Sequence, residues 1–328
     1  MNRFYNVNQA VSRNRPLNFI VGARGIGKTY GFKLFTIKRF LKEGEEFIYL
    51  RQSQKEIQMI TDYWGSLPSL FTDHEFKQNG TTLYIDGKKC GELWALSQFV
   101  QMKSNEYART RYIIFDEFLD NSNWNNRAEK PFALASIIDS VFRNREGCKV
   151  FCLANAESLM NEYFEFFGIY PQNKKGVTLT KDIALEVVDS SKYKVTEERG
   201  NNWLSRVTAG TEYAQLAQSN EFHDDNNKQV KKLPAGAELL TRIFYHRDYF
   251  EIWTKGEACW ITATKHKNLE NEQILTIHDS APGRELFKSD FNTWRRVTQS
   301  AEKSKLFFDN KRTREICYVW LKKFIKIG

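Results

Sequence analysis

Cysteine is scarce and unpaired in this chain of 328 residues. Its five cysteines, Cys90, Cys148, Cys152, Cys259 and Cys317, are odd in number and scattered. Cys148 and Cys152 lie close together, but no second Cys or His pair accompanies them, so neither a zinc site nor a disulfide framework is expected. All five read as reduced, mostly buried thiols. The five histidines, His74, His223, His246, His266 and His278, also lack metal-ligand spacing. No Ser/His/Asp or Cys/His set stands out, which leaves nucleophilic catalysis without a candidate. No long apolar run is present, so neither a signal peptide nor a membrane span is expected. Internal repeats, low-complexity blocks and coiled-coil heptads are missing too.

What is present is a globular composition, 41% hydrophobic and 14% aromatic, with a net charge of +9. The length suffices for two domains and a sizeable core. The basic excess suits a polyanionic partner, although a solvated basic surface has the same signature. The excess is concentrated late: from Lys231 onward there are 19 Lys and Arg against 12 Asp and Glu.

One stretch organises the rest. Gly22-Ala23-Arg24-Gly25-Ile26-Gly27-Lys28-Thr29 reads G-x-x-x-x-G-K-T, a phosphate-binding loop. Leu17–Val21 before it is a short apolar run suited to a buried strand. Tyr30–Phe40 after it has Phe32, Phe35, Ile37 and Phe40 at roughly helical spacing. Glycines let the backbone curl so that its N–H groups face phosphates, and the helix start adds a positive dipole end. Lys28 would reach the β- and γ-phosphates of ATP, and the Thr29 hydroxyl would ligate Mg2+. Arg24 is not required by the pattern, and its role stays open. Residues 1–16, with Tyr5, Asn6 and Gln9, would touch an adenine base or cap the first strand.

Downstream, Arg111-Tyr112-Ile113-Ile114-Phe115-Asp116-Glu117-Phe118 is an apolar run closed by two acids. Asp116 would hold Mg2+ through water and Glu117 would polarise the attacking water, the service phosphoryl transfer requires. The long insertion between the two motifs fits the additional-strand branch of P-loop ATPases. Lys149–Asn155 is a further core strand, at whose end Asn155 would sense the γ-phosphate or cap the following helix. Arg51, ending the strand Glu46–Arg51, faces either the ligand edge or an ion pair.

Further expectations concern architecture. Helices are expected over Gln54–Tyr63 and Pro131–Phe142. A β excursion over 76–100 carries Asn79-Gly80 and Asp86-Gly87 turn signals, with Leu93–Leu96 as a separate strand. Val177–Thr180 and Ile183–Val188 would complete the sheet, and the aromatic run Asn161–Phe167 reads as core. Composition turns polar from Asp189 to Lys232, with one or two small helices from Trp203. Strands are expected at Leu239–Tyr245, Tyr249–Trp253, Ala258–Ala263 and Ile274–His278, then a helical tail from Thr313 to Ile327. Arg295-Arg296, Lys311-Arg312 and Lys322-Lys323, with Trp294 and Trp320, suit phosphate backbones and stacking, or a solvated basic face.

Gly22–Thr29, Met102–Tyr107, Tyr112–Phe118, Ser140–Glu146, Asn155-Ala156 and Tyr163–Phe167 together resemble the DNA-packaging ATPases of phi29-type small tailed phages. The likeness is dense over residues 17–170 and thin after 200. It implies an α/β fold: an additional-strand, RecA-like P-loop ATPase domain (1–190), a linker or lid region (191–230), and a basic, β-rich α+β domain (231–328) resembling a vestigial RNase H-like nuclease that grips nucleic acid without cutting. Asp248, Glu251 and Asp279 are the acids available there. The resemblance further implies an ATP-hydrolysing motor that drives double-stranded DNA into a preformed capsid. Its expected partners are a viral portal, a structural packaging RNA and a homo-oligomeric ring, most simply a pentamer. The setting would be the cytoplasm of an infected bacterium, with no membrane partner. A basic residue from the neighbouring subunit would complete each site, with Arg143, Arg145 and Lys103 at the matching positions and Arg145 favoured for its place nearer the next strand. The rival readings are another P-loop translocase or helicase, and a nucleic-acid-binding scaffold with a regulatory ATPase.

Overall fold

The computed structural model describes residues 4–102, 106–119, 129–155, 161–171, 175–193, 203–207, 229–245, 248–264, 274–276, 290–310 and most of 313–321. The chain divides into two compact units, Met1–Phe222 and His223–Gly328. The expected linker 191–230 lies mostly outside the described residues.

The first unit runs α1 (Val7–Ser12), β1 (Leu17–Gly22), α2 (Lys28–Glu43), β2 (Glu46–Arg51), α3 (Gln54–Gln58), β3 (Phe76–Asn79), β4 (Thr82–Ile85), β5 (Lys88–Ala95), α4 (Phe99–Met102), β6 (Thr110–Asp116), α5 (Glu129–Phe142), β7 (Lys149–Asn155), α6 (Glu162–Phe167), β8 (Gly176–Leu179), β9 (Ile183–Val187) and α7 (Trp203–Val207). Among the described residues its strands form one sheet of nine, ordered β3-β4-β5-β2-β6-β7-β1-β9-β8. The six strands from β5 to β9 in that order are parallel, and β3, β4 and β8 join antiparallel at the edges.

The central strands are apolar on both sides because helices cover both sides. All six residues of β1 are buried. Ile20, Ile114, Phe151 and Leu153 face Phe32 and Ile37 of α2. Phe19, Val21, Ile113, Phe115 and Cys152 face Ala133, Leu134 and Ile137 of α5 and the aromatic run of α6, where Tyr163 and Phe164 are fully buried.

The strand inserted between the loop strand β1 and the acid strand β6 is β7, which follows both in the chain. The excursion over 76–95 instead extends the sheet beyond β2. There β5 is one continuous strand, so Leu93–Ala95 is its end rather than a separate strand. Asp86 and Gly87, both at positive φ (52° and 70°), make the tight turn between β4 and β5. Helix α3 stops at Gln58, short of the expected Tyr63. The Gln78 side chain takes over the backbone there: its Nε2 donates to the Ile60 carbonyl (2.9 Å) and its Oε1 accepts from the Tyr63 N–H (2.8 Å). Asp62 then accepts from the N–H groups of Trp64 and Gly65, turning the chain.

The second unit comprises β10 (Glu238–Tyr245), β11 (Asp248–Lys255), β12 (Ala258–Ala263), β13 (Ile274–Thr276), α8 (Phe291–Glu302) and β14 (Leu306–Phe308). Strands β10, β11 and β12 form an antiparallel meander, with β13 parallel to β10 and β14 parallel to β12. Helix α8 has no counterpart among the elements the sequence predicts. Its buried face is Thr293, Val297, Ser300 and Ala301, a stripe of small residues rather than large apolar ones, and Asp290 caps it by accepting from the Thr293 N–H. Glu251 is engaged by Arg242 across the sheet (2.9 Å), and Asp279 lies outside the described residues. One residue expected to stack on nucleic acid is internal, since Trp320 is fully buried. Arg296 is exposed, but its guanidinium is engaged within the unit, donating to the Thr254 hydroxyl (2.8 Å) and the Gly256 carbonyl (2.7 Å). Arg295 is exposed. Lys311, Arg312, Lys322 and Lys323 lie outside the described residues.

All five cysteines are buried and free. Among the described residues no helix is long and apolar enough to cross a membrane.

Candidate nucleotide-binding site

Because β1, β7 and β6 are parallel neighbours, their C-terminal ends share one edge of the sheet. That edge brings together the loop after β1, Asn155 ending β7 in register with Gly22, and Asp116 and Glu117 ending β6. These groups line one pocket with Phe4, Arg24, Gly25, Gly27, Lys28, Thr29, Tyr30 and Ser66.

The loop is built by its glycines and by what packs behind them. Gly25 and Gly27 adopt φ of 80° and 88°, a conformation L side chains resist. A Cβ on Gly22 would stand 2.7 Å from the Val188 Cβ. Ile26 is buried, and its carbonyl accepts from the Tyr5 N–H (2.8 Å). The Ala23 N–H donates to the Ser190 hydroxyl (3.2 Å). The lead-in is thereby tied to the loop, and the Tyr5 hydroxyl itself is spent on Glu186 (2.6 Å), which also receives Arg13 (2.7 Å). The aromatic side chains at the pocket are instead Phe4 and Tyr30, both about half exposed.

Lys28 opens α2 and folds back along the loop, donating to the carbonyls of Gly22 (2.9 Å) and Ala23 (2.7 Å). Burial pushes its ammonium down to about 8, against the opposing pull of Asp116 and Glu117. A polyphosphate favours the charged form. Nucleotide binding near and above pH 8 is therefore expected to take up a proton, and affinity to fall as pH rises through that range; well below it the lysine is already charged and no uptake occurs. Isothermal titration in two buffers of different ionisation enthalpy reads this directly, and a buffer-independent heat near pH 8 would contradict it.

Across the pocket the Thr29 hydroxyl lies 3.0 and 3.1 Å from the two Asp116 carboxylate oxygens. Threonine hydroxyl, carboxylate and nucleotide phosphates are all hard oxygen donors, the set Mg2+ prefers, so Thr29 and Asp116 fit the metal that such a fold implies. Glu117 follows at φ 54°, a left-handed kink that ends the strand, and its side chain is 46% exposed. Arg51 at the end of β2 reaches all three neighbouring acids: Glu117 (2.5 Å), Glu56 (3.2 Å) and Asp116 (3.7 Å). It is thus both at the ligand edge and in an ion-pair network, the two readings its position allowed.

The three basic candidates fare differently. Arg143, at φ 50° just after α5, is exposed, and its side chain makes no hydrogen bond or ion pair among the described residues. Arg145 turns inward, its guanidinium donating to the carbonyls of Ala108, Val141 and Phe142 and so capping the end of α5. Lys103 lies outside the described residues.

Phosphate loop, acid strand and inserted strand between them define a P-loop nucleoside triphosphatase of the additional-strand type. More particularly, the chain belongs to the podovirus DNA encapsidation protein (Gp16) family, which it matches over residues 1–326. It is 34% identical over 327 residues to a DNA packaging protein of Bacillus phage phi29, spanning 98% of this chain and 97% of that one. Its fold is similar to a chain of the bacteriophage phi29 viral genome packaging motor assembly, with TM-score 0.71 and 31% identity over 98% of this chain and 99% of that one. The crystal structure of the N-terminal domain of the phi29 DNA packaging ATPase is 41% identical, with TM-score 0.54, covering 57% of this chain and 97% of that domain.

Proposed function

We propose that this chain is the ATP-driven motor that moves double-stranded viral DNA into a preformed capsid. The observation that carries the reading is the meeting of Lys28, Thr29, Asp116 and Glu117 in one pocket, in a chain that aligns end to end with viral DNA packaging proteins.

In this reading the loop N–H groups and Lys28 bind the β- and γ-phosphates of ATP, and Asn155 faces the γ-phosphate from the neighbouring strand. Thr29 and Asp116 hold Mg2+, which supplies charge neutralisation along the phosphates. Glu117 orients the attacking water. In the geometry seen here Arg51 holds Glu117, so the carboxylate must leave that ion pair to reach a water in the pocket. Phe4 and Tyr30 offer aromatic faces to the base.

A site of this kind gains from an arginine that meets the charge developing on the transferred phosphoryl group. Arg143 is free to supply it to a neighbouring subunit, whereas Arg145 is engaged within its own chain; this favours Arg143 over Arg145 in a ring, most simply a pentamer. The ring would dock on a portal with a structural RNA, in the cytoplasm of an infected bacterium. The second unit would grip DNA through basic groups such as Arg295 without cutting it.

The test uses the whole chain with ATP and Mg2+ on linear and forked duplex DNA. Phosphate release stimulated by duplex, with strands still paired and uncut, supports the motor. ATP-dependent separation of the fork would favour a helicase instead.

A further inference from the structure

Asp116 has a partner that the phosphate-loop pattern does not specify. The Tyr49 hydroxyl, on β2, donates to Asp116 Oδ2 at 2.6 Å. Strands β2 and β6 are parallel neighbours with Tyr49 opposite Ile114. By strand alternation Tyr49, Arg51 and Asp116 therefore share the face that packs on α2, the helix that begins with Lys28 and Thr29.

The ring of Tyr49 is fixed. It is 3% exposed, meets the Tyr63 ring edge-on at 5.1 Å, and has the Lys33 ammonium 5.4 Å from its centroid. The phenol hydroxyl is a hydrogen-bond donor at neutral pH, and the carboxylate it faces can only accept. Phenylalanine would fill the same apolar space without a polar atom to satisfy. The hydroxyl thus has a use in the Asp116 contact itself.

That contact differs in kind from the other two on Asp116. Thr29 is itself suited to ligate the metal, so its hold on the carboxylate changes when metal binds. Arg51 stands 3.7 Å away and is shared with Glu117 and Glu56. Tyr49 is a neutral donor on a buried strand. It can fix the carboxylate plane without cancelling the negative charge a cation needs.

We propose that Tyr49 is the positioning residue for metal binding at this site: its hydroxyl locks one Asp116 oxygen so that the other is presented to the cation that accompanies the nucleotide. The proposal rests on the assignment of Asp116 as the metal-holding carboxylate. The test compares Tyr49→Phe and Asp116→Asn with the unaltered chain. Mn2+ binding at saturating ADP is followed by electron paramagnetic resonance, and fluorescent ADP binding is measured separately in EDTA. Tyr49→Phe is expected to weaken Mn2+ by roughly 10- to 100-fold while changing metal-free ADP affinity by less than about twofold. Two results would overturn the role of Tyr49: Mn2+ affinity unchanged in Tyr49→Phe but lowered in Asp116→Asn, or a loss of metal-free ADP affinity as large as the loss for Mn2+. Unchanged Mn2+ affinity in Asp116→Asn would instead remove the metal assignment beneath it.

Discussion

Glu117→Gln is expected to stop ATP turnover while leaving nucleotide binding nearly intact. The amide keeps the size of the side chain but can no longer accept a proton or polarise water, and loss of a positioned base lowers rates by roughly 10^2- to 10^4-fold. Lys28, Thr29 and Asp116, which hold the phosphates and metal in the proposed site, are untouched. Glu117 is half exposed and its close ionic partner among the described residues is Arg51, so the change removes a solvent-screened ion pair rather than a core contact. Phosphate release and fluorescent-nucleotide affinity separate the two effects. Unchanged turnover would take the role of base away from Glu117.

Arg143→Ala is expected to match or exceed that loss. An arginine completing a phosphoryl-transfer site from outside is worth roughly 10^3- to 10^5-fold in turnover, and Arg143 has the exposure such a role needs. Because the residue would act on the neighbour's nucleotide, Arg143→Ala and Glu117→Gln subunits, each inactive alone, should regain turnover when mixed. One hybrid interface then joins an intact Glu117 to an intact Arg143. No recovery would count against completion across subunits. Arg145→Ala should show a different pattern, since its guanidinium caps the last turn of α5: lower thermal stability by about 1 kcal/mol, with no rescue by Glu117→Gln subunits. The reverse ranking would restore Arg145 to the role the sequence suggested for it.

The parts of the site legible in sequence are those written in consecutive residues. Gly22–Thr29 and Tyr112–Glu117 carry their chemistry and their strand or loop context within a few positions. What was not legible depends on contacts between distant segments. The additional-strand class implies a strand between the two motif strands; that this strand is β7 follows from sheet pairing, which no local periodicity records. Helix α3 ends where Gln78, on a later strand, captures its backbone. The choice between Arg143 and Arg145 turns on which side chain finds carbonyls of its own chain, and on Ala108 far upstream. Tyr49 reads as one more apolar residue in Phe47-Ile48-Tyr49-Leu50. The available signal was its position two residues before Arg51, on the same strand face, pointing toward the acids of the next strand. In the second unit, α8 carries no legible apolar stripe, because its buried face uses Thr293, Ser300 and Ala301 where large apolar residues would mark one. Trp320, among basic residues in the sequence, suits stacking on nucleic acid, yet it is core.

The central claim is that hydrolysis at this pocket drives DNA into a capsid. It is tested most directly by measuring ATP hydrolysis on linear double-stranded DNA with and without empty capsids, while following the DNA's resistance to added nuclease. Turnover that rises strongly with capsids, together with ATP-dependent protection of the DNA, is the predicted result. Hydrolysis indifferent to capsids, with the DNA left unprotected, would contradict it.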